Sequence, residues 1–326
     1  MEDQAIGTSL TGPASNGMKK DAKIYIAGHR GLVGSAIVRA LETRGFKNLI
    51  LKTHRELDLL DQKAVAKFFE KEKPKFVFLA AARVGGIMAN NNHPAEFIYE
   101  NLTVQANVLE RARKNAVIKL LFLGSSCIYP RLAPQPIREE YLLSGDLEPT
   151  NRAYAVAKIA GIVTCQSYNK EYGTNFISAM PTNMYGPNDN FNLDNSHVLP
   201  ALIRKFHDAK TTGKKEVLLW GTGGARREFL YVDDFAEASL FLMEHYDKSE
   251  IINVGTGGDI SICELADLIK KITDFSGKIS WDKNKPDGMP RKLLDVSKLH
   301  KLGWRHKISL EDGIRSTYEW YVKNRK

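Results

Sequence analysis

Two residues four apart, Tyr154 and Lys158, carry the first chemical signal in the 326-residue chain. At that spacing they share one helix face. An ammonium beside a phenol favours the phenolate, so the pair predicts a tyrosine whose pKa is lowered enough to exchange protons near neutrality. Ser125 follows the apolar run Leu120–Gly124, at a strand end where its hydroxyl can reach a substrate oxygen. A second signal is the glycine triplet Gly28, Gly31 and Gly34 in GHRGLVG, directly after KIYIA. Glycines there permit a tight turn and close backbone approach to a pyrophosphate. The helix that follows offers free N–H groups and the positive end of its dipole. Taken singly, these are a tight turn, a half-buried packing tyrosine and a snorkelling lysine. In combination they describe a site that holds a dinucleotide and moves a proton.

The residues after the second predicted strand choose the dinucleotide. NAD sites usually carry an Asp or Glu there for the ribose 2′-hydroxyl. This chain has Lys52, Thr53, His54 and Arg55, and Arg30 inside the glycine loop. Guanidinium groups grip phosphate bidentately, so the expected cofactor is NADP(H), held at its 2′-phosphate.

The elements that must position these residues follow from hydrophobic pattern. Strands are predicted at Lys23–Ala27, Asn48–Lys52, Phe76–Ala82, Leu120–Gly124 and Asn175–Met180. Helices are predicted at Gly31–Arg44, Lys63–Lys71, Pro94–Lys114 and Asn151–Tyr172. Strands without alternating polar residues, separated by helices, form a parallel sheet covered on both faces. This is the doubly wound α/β (Rossmann) class, which binds ligands at the carboxyl ends of its strands. Beyond Pro181 the texture changes. Asn183–Ser196 is rich in Asn, Asp, Gly and Pro and reads as a long functional loop. Strand-like segments near Phe229–Val232 and Ile251–Val254 are expected to rejoin the main sheet. The expected division is a disordered tail over 1–20 and a cofactor domain over 21–181 with returning segments from 228–257. A smaller α/β substrate domain takes 182–227 and 258–326.

Composition excludes several classes. Lys plus Arg is 47 against 38 for Asp plus Glu, a net charge of +9, but acids and bases interleave. Such a balance suits a small polyanion and not a nucleic acid. Cys127, Cys165 and Cys263 are too few and too scattered for a disulfide framework or a metal set, so a reducing compartment, the cytoplasm, and no metal are expected. No apolar run approaches the ~18 to 20 residues of a membrane span, and the first 20 residues lack a signal-peptide core.

GHRGLVG, GSSCIYP (124–130) and YAVAK (154–158) resemble the extended short-chain dehydrogenase/reductases. LEPTNRAYAVAKIAG (147–161), PTNMYGPNDNF (181–191) and NSHVLPALI (195–203) are similar to the GDP-L-fucose synthase family, from about Lys23 to the C-terminus. The resemblance implies NADPH-dependent 3,5-epimerisation and 4-reduction of GDP-4-keto-6-deoxy-D-mannose to GDP-L-fucose. It implies Cys127 as base and His197 as acid, two residues that on their own read as a small buried hydrophobe and a loop histidine. Tyr154 would stabilise the enolate oxygen and later protonate the alkoxide. Ser125 would hydrogen-bond the same oxygen, and Lys158 would tune Tyr154 and bind the nicotinamide ribose. The cofactor would lie on Gly28, His29, Arg30, Gly31, Leu32, Val33, Gly34, His54, Arg55, Ala81 and Ala82. At its nicotinamide end it would meet Lys158, Pro181, Thr182, Asn183, Met184 and His197. Lys205, Trp220, Arg227 and Asp287 would contact the GDP-sugar. A homodimer through Pro94–Lys114 and Asn151–Tyr172 is also implied. The nearest rival, an NAD-retaining 4-epimerase or 4,6-dehydratase, would want an acid after the second strand. The dehydratase would want another acidic pair where Ser126 and Cys127 stand. A binding protein without chemistry would be expected to lack Tyr154 or Lys158.

Overall fold

The computed structural model describes residues 17–285 and 287–325. The strands are β1 (Ile24–Ala27), β2 (Leu49–Ile50), β3 (Phe76–Leu79), β4 (Lys119–Leu123), β5 (Phe176–Pro181), β6 (Asn183–Tyr185) and β7 (Glu216–Trp220). They continue with β8 (Arg226–Arg227), β9 (Phe229–Tyr231), β10 (Ile252–Val254), β11 (Ile260–Ser261), β12 (Lys278–Asp282) and β13 (Arg291–Lys292). The helices are α1 (Leu32–Thr43), α2 (Gln62–Glu72), α3 (Ile87–Asn92), α4 (Pro94–Lys114) and α5 (Arg152–Tyr172). After these come α6 (Val198–Thr211), α7 (Val232–His245), α8 (Ile262–Thr273), α9 (Ser297–Lys301) and α10 (Leu310–Asn324).

Six strands form one sheet in the order β10-β5-β4-β3-β1-β2, and every pairing in it is parallel. This is the expected doubly wound α/β fold. The strand residues β1 Ile24–Ala27 and β3 Phe76–Leu79 are buried throughout, because helices cover both faces. On one face Ile24, Ile26, Phe78 and Leu121 meet α1 and α7 through Ile37, Leu41 and Phe235. On the other, Tyr25, Val77, Leu120 and Phe122 meet α2, α4 and α5 through Phe69, Val108 and Ile162. A third apolar core, built from Leu202, Phe206, Leu265, Ile269 and Ile314, joins α6, α8 and α10 under the small sheets.

Most predicted elements fall within two residues of their observed bounds, and α4 coincides with its prediction. Three observations depart from expectation. Phe229–Tyr231 pairs with Asn183–Tyr185 and not with the main sheet, so only Ile252–Val254 rejoins it. Those residues also give the expected loop over 183–196 a strand at its start. Disorder was expected through residue 20; residues 1–16 lie outside the described residues, but Met18 is buried and Lys20 Nζ sits 4.1 Å from the Phe46 ring centroid. Burying an apolar side chain and shielding a ring outweigh the polar composition of that segment.

Candidate active site

The glycine loop is built by steric necessity. Gly28 has φ +82, a left-handed conformation that costs most residues, and a Cβ there would stand 2.8 Å from the Ala81 backbone nitrogen. A Cβ on Gly34 would stand 2.6 Å from the Gly28 carbonyl carbon and 2.8 Å from His29 Cα. Small residues therefore let α1 begin directly against the β1 turn. Gly31 is the N-cap of α1 and no side chain caps that end, so its first N–H groups point outward unsatisfied. Arg30 makes no ion pair among the described residues, and neither does Arg55. Both are exposed beside the end of β2. Glu56 folds back to accept from Thr53 N at 2.8 Å and Thr53 Oγ1 at 2.7 Å. His54 lies 3.7 Å from Asp58. Burial first, then the Arg30 charge, lower the His29 pKa. Free N–H groups, free guanidiniums and a committed carboxylate fit the pyrophosphate and 2′-phosphate of NADP(H).

Ala81 and Ala82 follow β3 beneath this loop. Pro181 ends β5, and Thr182 N donates to Val254 O at 3.0 Å. Asn183 Nδ2 donates to Glu228 O at 2.8 Å, Thr182 Oγ1 reaches the same oxygen at 3.2 Å, and Met184 packs against the α1–α7 core. Leu32 and Val33 pack there too. The predicted cofactor residues thus line one path along the carboxyl edge of the sheet.

The chemical residues converge at the end of β4. Ser125 caps a short 3₁₀ turn (Ser126–Ile128), accepting from Cys127 N at 3.2 Å. The first turns of α5 bring Tyr154 and Lys158 to the same edge. Lys158 is buried, donates to Leu123 O at 2.8 Å and has its pKa pushed down to about 8 by burial. Tyr154 shows the opposite of the expected shift. Burial, then the Cys127 charge, raise its pKa, and a hydrogen bond with Ser125 only partly offsets this. Lys158 Nζ stands 5.8 Å from the Tyr154 ring centroid, and Lys158 is not among the groups that lower the phenol. Desolvation dominates the pair, so Tyr154 is a neutral phenol suited to donating.

Cys127 is a free thiol with two donors on its sulfur: Asn151 Nδ2 at 3.4 Å and Lys292 Nζ at 3.5 Å. Ser126, Cys127, Asn151, Met289 and Lys292 share one cleft. His197 is the N-cap of α6 and an exposed residue, and desolvation by neighbouring protein, followed by the Lys292 charge, lowers its pKa. Asn151 and Lys292 were not singled out from the sequence. Asn151 precedes Tyr154 by three residues and shares its side of the helix start, a signal that was present. Lys292 is 165 residues from Cys127 and has no local signature.

The predicted substrate residues form a second group. Trp220 ends β7 with 54% of its surface exposed, which core packing does not explain. Lys205 Nζ and Lys285 Nζ stand 5.9 and 5.5 Å from its ring centroid. Burial lowers the Lys205 pKa and that of Arg227. Arg227 Nη1 donates to Arg226 O at 2.8 Å, and no carboxylate pairs with its guanidinium among the described residues. A half-buried, unpaired guanidinium is suited to an anion. Asp287 accepts from Thr222 N at 2.6 Å and Thr222 Oγ1 at 2.8 Å, fixing the loop before β13 beside the Trp220 platform. Glu228, fully buried, accepts from Thr256 N, Gly257 N and Leu294 N at 2.6, 2.8 and 2.9 Å. Its backbone oxygen meets the start of β6, and its carboxylate the segments that follow β10 and β13. The Gly255–Gly258 cluster is accordingly a turn gripped by a carboxylate.

Comparison with known proteins places this geometry. Residues 24–255 match the model of the NAD dependent epimerase/dehydratase family. A protein named GDP-L-fucose synthase 1 from Arabidopsis thaliana is 60% identical over 305 residues, 94% of each chain. GDP-L-fucose synthase from Escherichia coli (strain K12) is 55% identical over 311 residues, 93% of this chain and 97% of its own. The crystal structure of a GDP-L-fucose synthetase from Naegleria fowleri bound to NADP is 30% identical, with TM-score 0.88 over 94% of this chain and 96% of that one. From the first strand through the one that completes the sheet, the chain belongs to the NAD dependent epimerase/dehydratase family.

Proposed function

We propose that the chain epimerises GDP-4-keto-6-deoxy-D-mannose at carbons 3 and 5 and reduces carbon 4 with NADPH, giving GDP-L-fucose. The observation that carries this reading is a thiol with two polar donors placed beside a Ser–Tyr–Lys group: Cys127 next to Ser125, Tyr154 and Lys158. A reductase alone needs only the second set. The relatives of 55–60% identity carry the same name over nearly the whole chain.

NADPH, when bound, supplies the hydride to carbon 4. The protein does the rest. Hydrogens on carbons 3 and 5 are alpha to the ketone, so loss of either leaves an enolate. Cys127 takes the proton on one face and His197 returns one on the other. Ser125 and the neutral Tyr154 phenol donate to the enolate oxygen, in oxyanion-hole fashion. At reduction the same phenol protonates the carbon-4 alkoxide, a transfer that stays downhill although burial weakens Tyr154 as an acid, because an alkoxide is a stronger base than the phenolate. Lys158, whose pKa burial pushes down to about 8, orients the nicotinamide ribose and relays the proton. Arg227 holds the diphosphate, Trp220 offers its face to the guanine, and Lys205 and Asp287 flank it. Residues 21–181 with returning segments from 228–257 serve the cofactor; 182–227 and 258–326 serve the sugar nucleotide.

The reading extends to assembly and location. The outer faces of α4 and α5 expose Tyr99, Val156, Val163 and Tyr172, and we place a homodimer contact there. Three free thiols suit the cytoplasm. Among the described residues no helix is long and apolar enough to cross a membrane. NADPH oxidation on adding the 4-keto sugar nucleotide, with GDP-L-fucose identified by NMR, tests the function. An unepimerised 6-deoxy product would remove the roles of Cys127 and His197. No oxidation at all would overturn the reading.

A further inference from the structure

The short ribbon β8–β13 carries four cations in two layers. The strands are parallel, with Arg226 opposite Arg291 and Arg227 opposite Lys292. Opposed residues share a face and neighbours alternate, so each pair faces its own way. One layer is neutralised: Asp259, nearly buried, takes both Arg226 and Arg291, and Glu264 also takes Arg226. The other has no carboxylate partner among the described residues. Its Arg227 awaits the substrate diphosphate, and its Lys292 ammonium lies 3.5 Å from the Cys127 sulfur.

Lys292 is also held firmly. Leu293 N donates to Gln135 Oε1 at 2.8 Å, and Leu294 N donates to the buried Glu228 at 2.9 Å. Ile137 N returns a bond to Leu293 O at 2.8 Å. The backbone after Lys292 is therefore clamped between the segment that follows Cys127 and the residue that follows Arg227. A flexible surface lysine needs no such clamp.

We propose that Lys292 is a positioning residue of the epimerisation: it holds the Cys127 sulfur as the anionic base, from a ribbon whose other cation seats the substrate. The inference rests on the function proposed above. Lys292 keeps its own proton throughout. The Cys127 thiolate takes the carbon proton and becomes a thiol, His197 gives a proton to the opposite face, and exchange with water restores both. Asn151, on the other side of the sulfur, fixes its direction. The same ammonium adds to burial in lowering the His197 pKa, so the imidazolium gives up its proton more readily.

The test uses the full chain without nucleotide and compares Lys292→Met and Lys292→Arg with the parent. Iodoacetamide labelling at neutral pH is read peptide by peptide, with the exposed Cys263 as internal standard. Lys292→Met should slow labelling of Cys127 relative to Cys263 by about tenfold, and Lys292→Arg should restore most of the rate because it keeps the charge. An unaltered affinity for NADPH would show that the fold is intact. The NMR titration of His197 should move up in the Met variant and not in the Arg variant. Deuterium uptake at carbons 3 and 5 should fall in step with labelling. A labelling ratio that changes by less than about threefold overturns the role of Lys292. If the parent chain exchanges no deuterium, the proposed function fails, and labelling still decides whether Lys292 controls the thiol.

Discussion

Gly31 and Gly34 look equivalent in the motif, yet the structure gives them different work, and alanine at each should separate folding from binding. A Cβ on Gly34 meets only backbone: the Gly28 carbonyl carbon at 2.6 Å and His29 Cα at 2.8 Å, both well inside contact distance. Neither atom can swing aside as a side chain would. Overpacking of this kind costs about 3 kcal/mol, and about 1 kcal/mol returns because alanine suits a helix interior. The net loss of about 2 kcal/mol should lower the unfolding midpoint by about 4 °C in a chain of this size. A Cβ on Gly31 has its nearest neighbour, Gly28 O, at 3.5 Å, which is ordinary contact. Its backbone (φ −78, ψ 173) suits alanine. Gly31→Ala should therefore unfold within about 1 °C of the parent, since a surface substitution without strain shifts stability little. The new methyl stands at the uncapped N-terminus of α1, where the pyrophosphate must approach. NADPH affinity should fall about tenfold or more, the equivalent of about 1.4 kcal/mol. Calorimetry without nucleotide gives the first quantity and NADPH fluorescence titration the second. Gly31→Ala binding NADPH within twofold of the parent would refute the placement of the pyrophosphate. Gly34→Ala unfolding at the parent temperature would refute the steric account.

Three further outcomes are expected. Tyr154→Phe should slow NADPH oxidation by a factor of about 10² to 10⁴ with NADPH affinity unchanged, because it removes one proton donor and leaves the glycine loop intact; stopped-flow absorbance at saturating substrate would measure both. Cys127→Ser should suppress solvent deuterium uptake at carbons 3 and 5 far more than hydride transfer, and NMR of the product would show native exchange if the base lay elsewhere. Lys158 sets a pH dependence of stability. Its pKa is near 8 when folded and ordinary when unfolded, so from pH 8 upward to the ordinary lysine range the unfolded chain binds the extra proton. The nucleotide-free protein should gain stability across that window relative to Lys158→Met, and parallel denaturation curves for the two would contradict the buried, destabilised ammonium.

Much of the scaffold was legible because its signals are local. The apolar runs of β1, β3 and β4 and the 21-residue pattern of α4, opened by Pro94, are continuous in sequence. What escaped was set by distant contacts. The pairing of β9 with β6 is decided by how the chain packs after Pro181, and either segment alone reads as a strand for any sheet. The six residues of α3, IMANNN, have too much Asn to suggest a helix. The spacing of Tyr154 and Lys158 correctly put them together but not their electrostatics, because spacing carries no information about burial. Lys292 reaches Cys127 only through the folded ribbon, so no window of sequence contains both.

The sheet that carries the cofactor is finished out of order. Its outer strand on the β5 side is β10, which hydrogen-bonds along Ala179–Pro181 but is made 73 residues after β5 ends. At about 5–20 residues per second, a growing chain waits roughly 4–15 s between the two. Through that interval β5 offers an open row of backbone groups beside apolar side chains, the condition that invites strand addition from another chain. Assembly on the ribosome thus has a vulnerable period that the finished molecule does not show. It closes when Ile252–Val254 docks, at the point where the family match also ends.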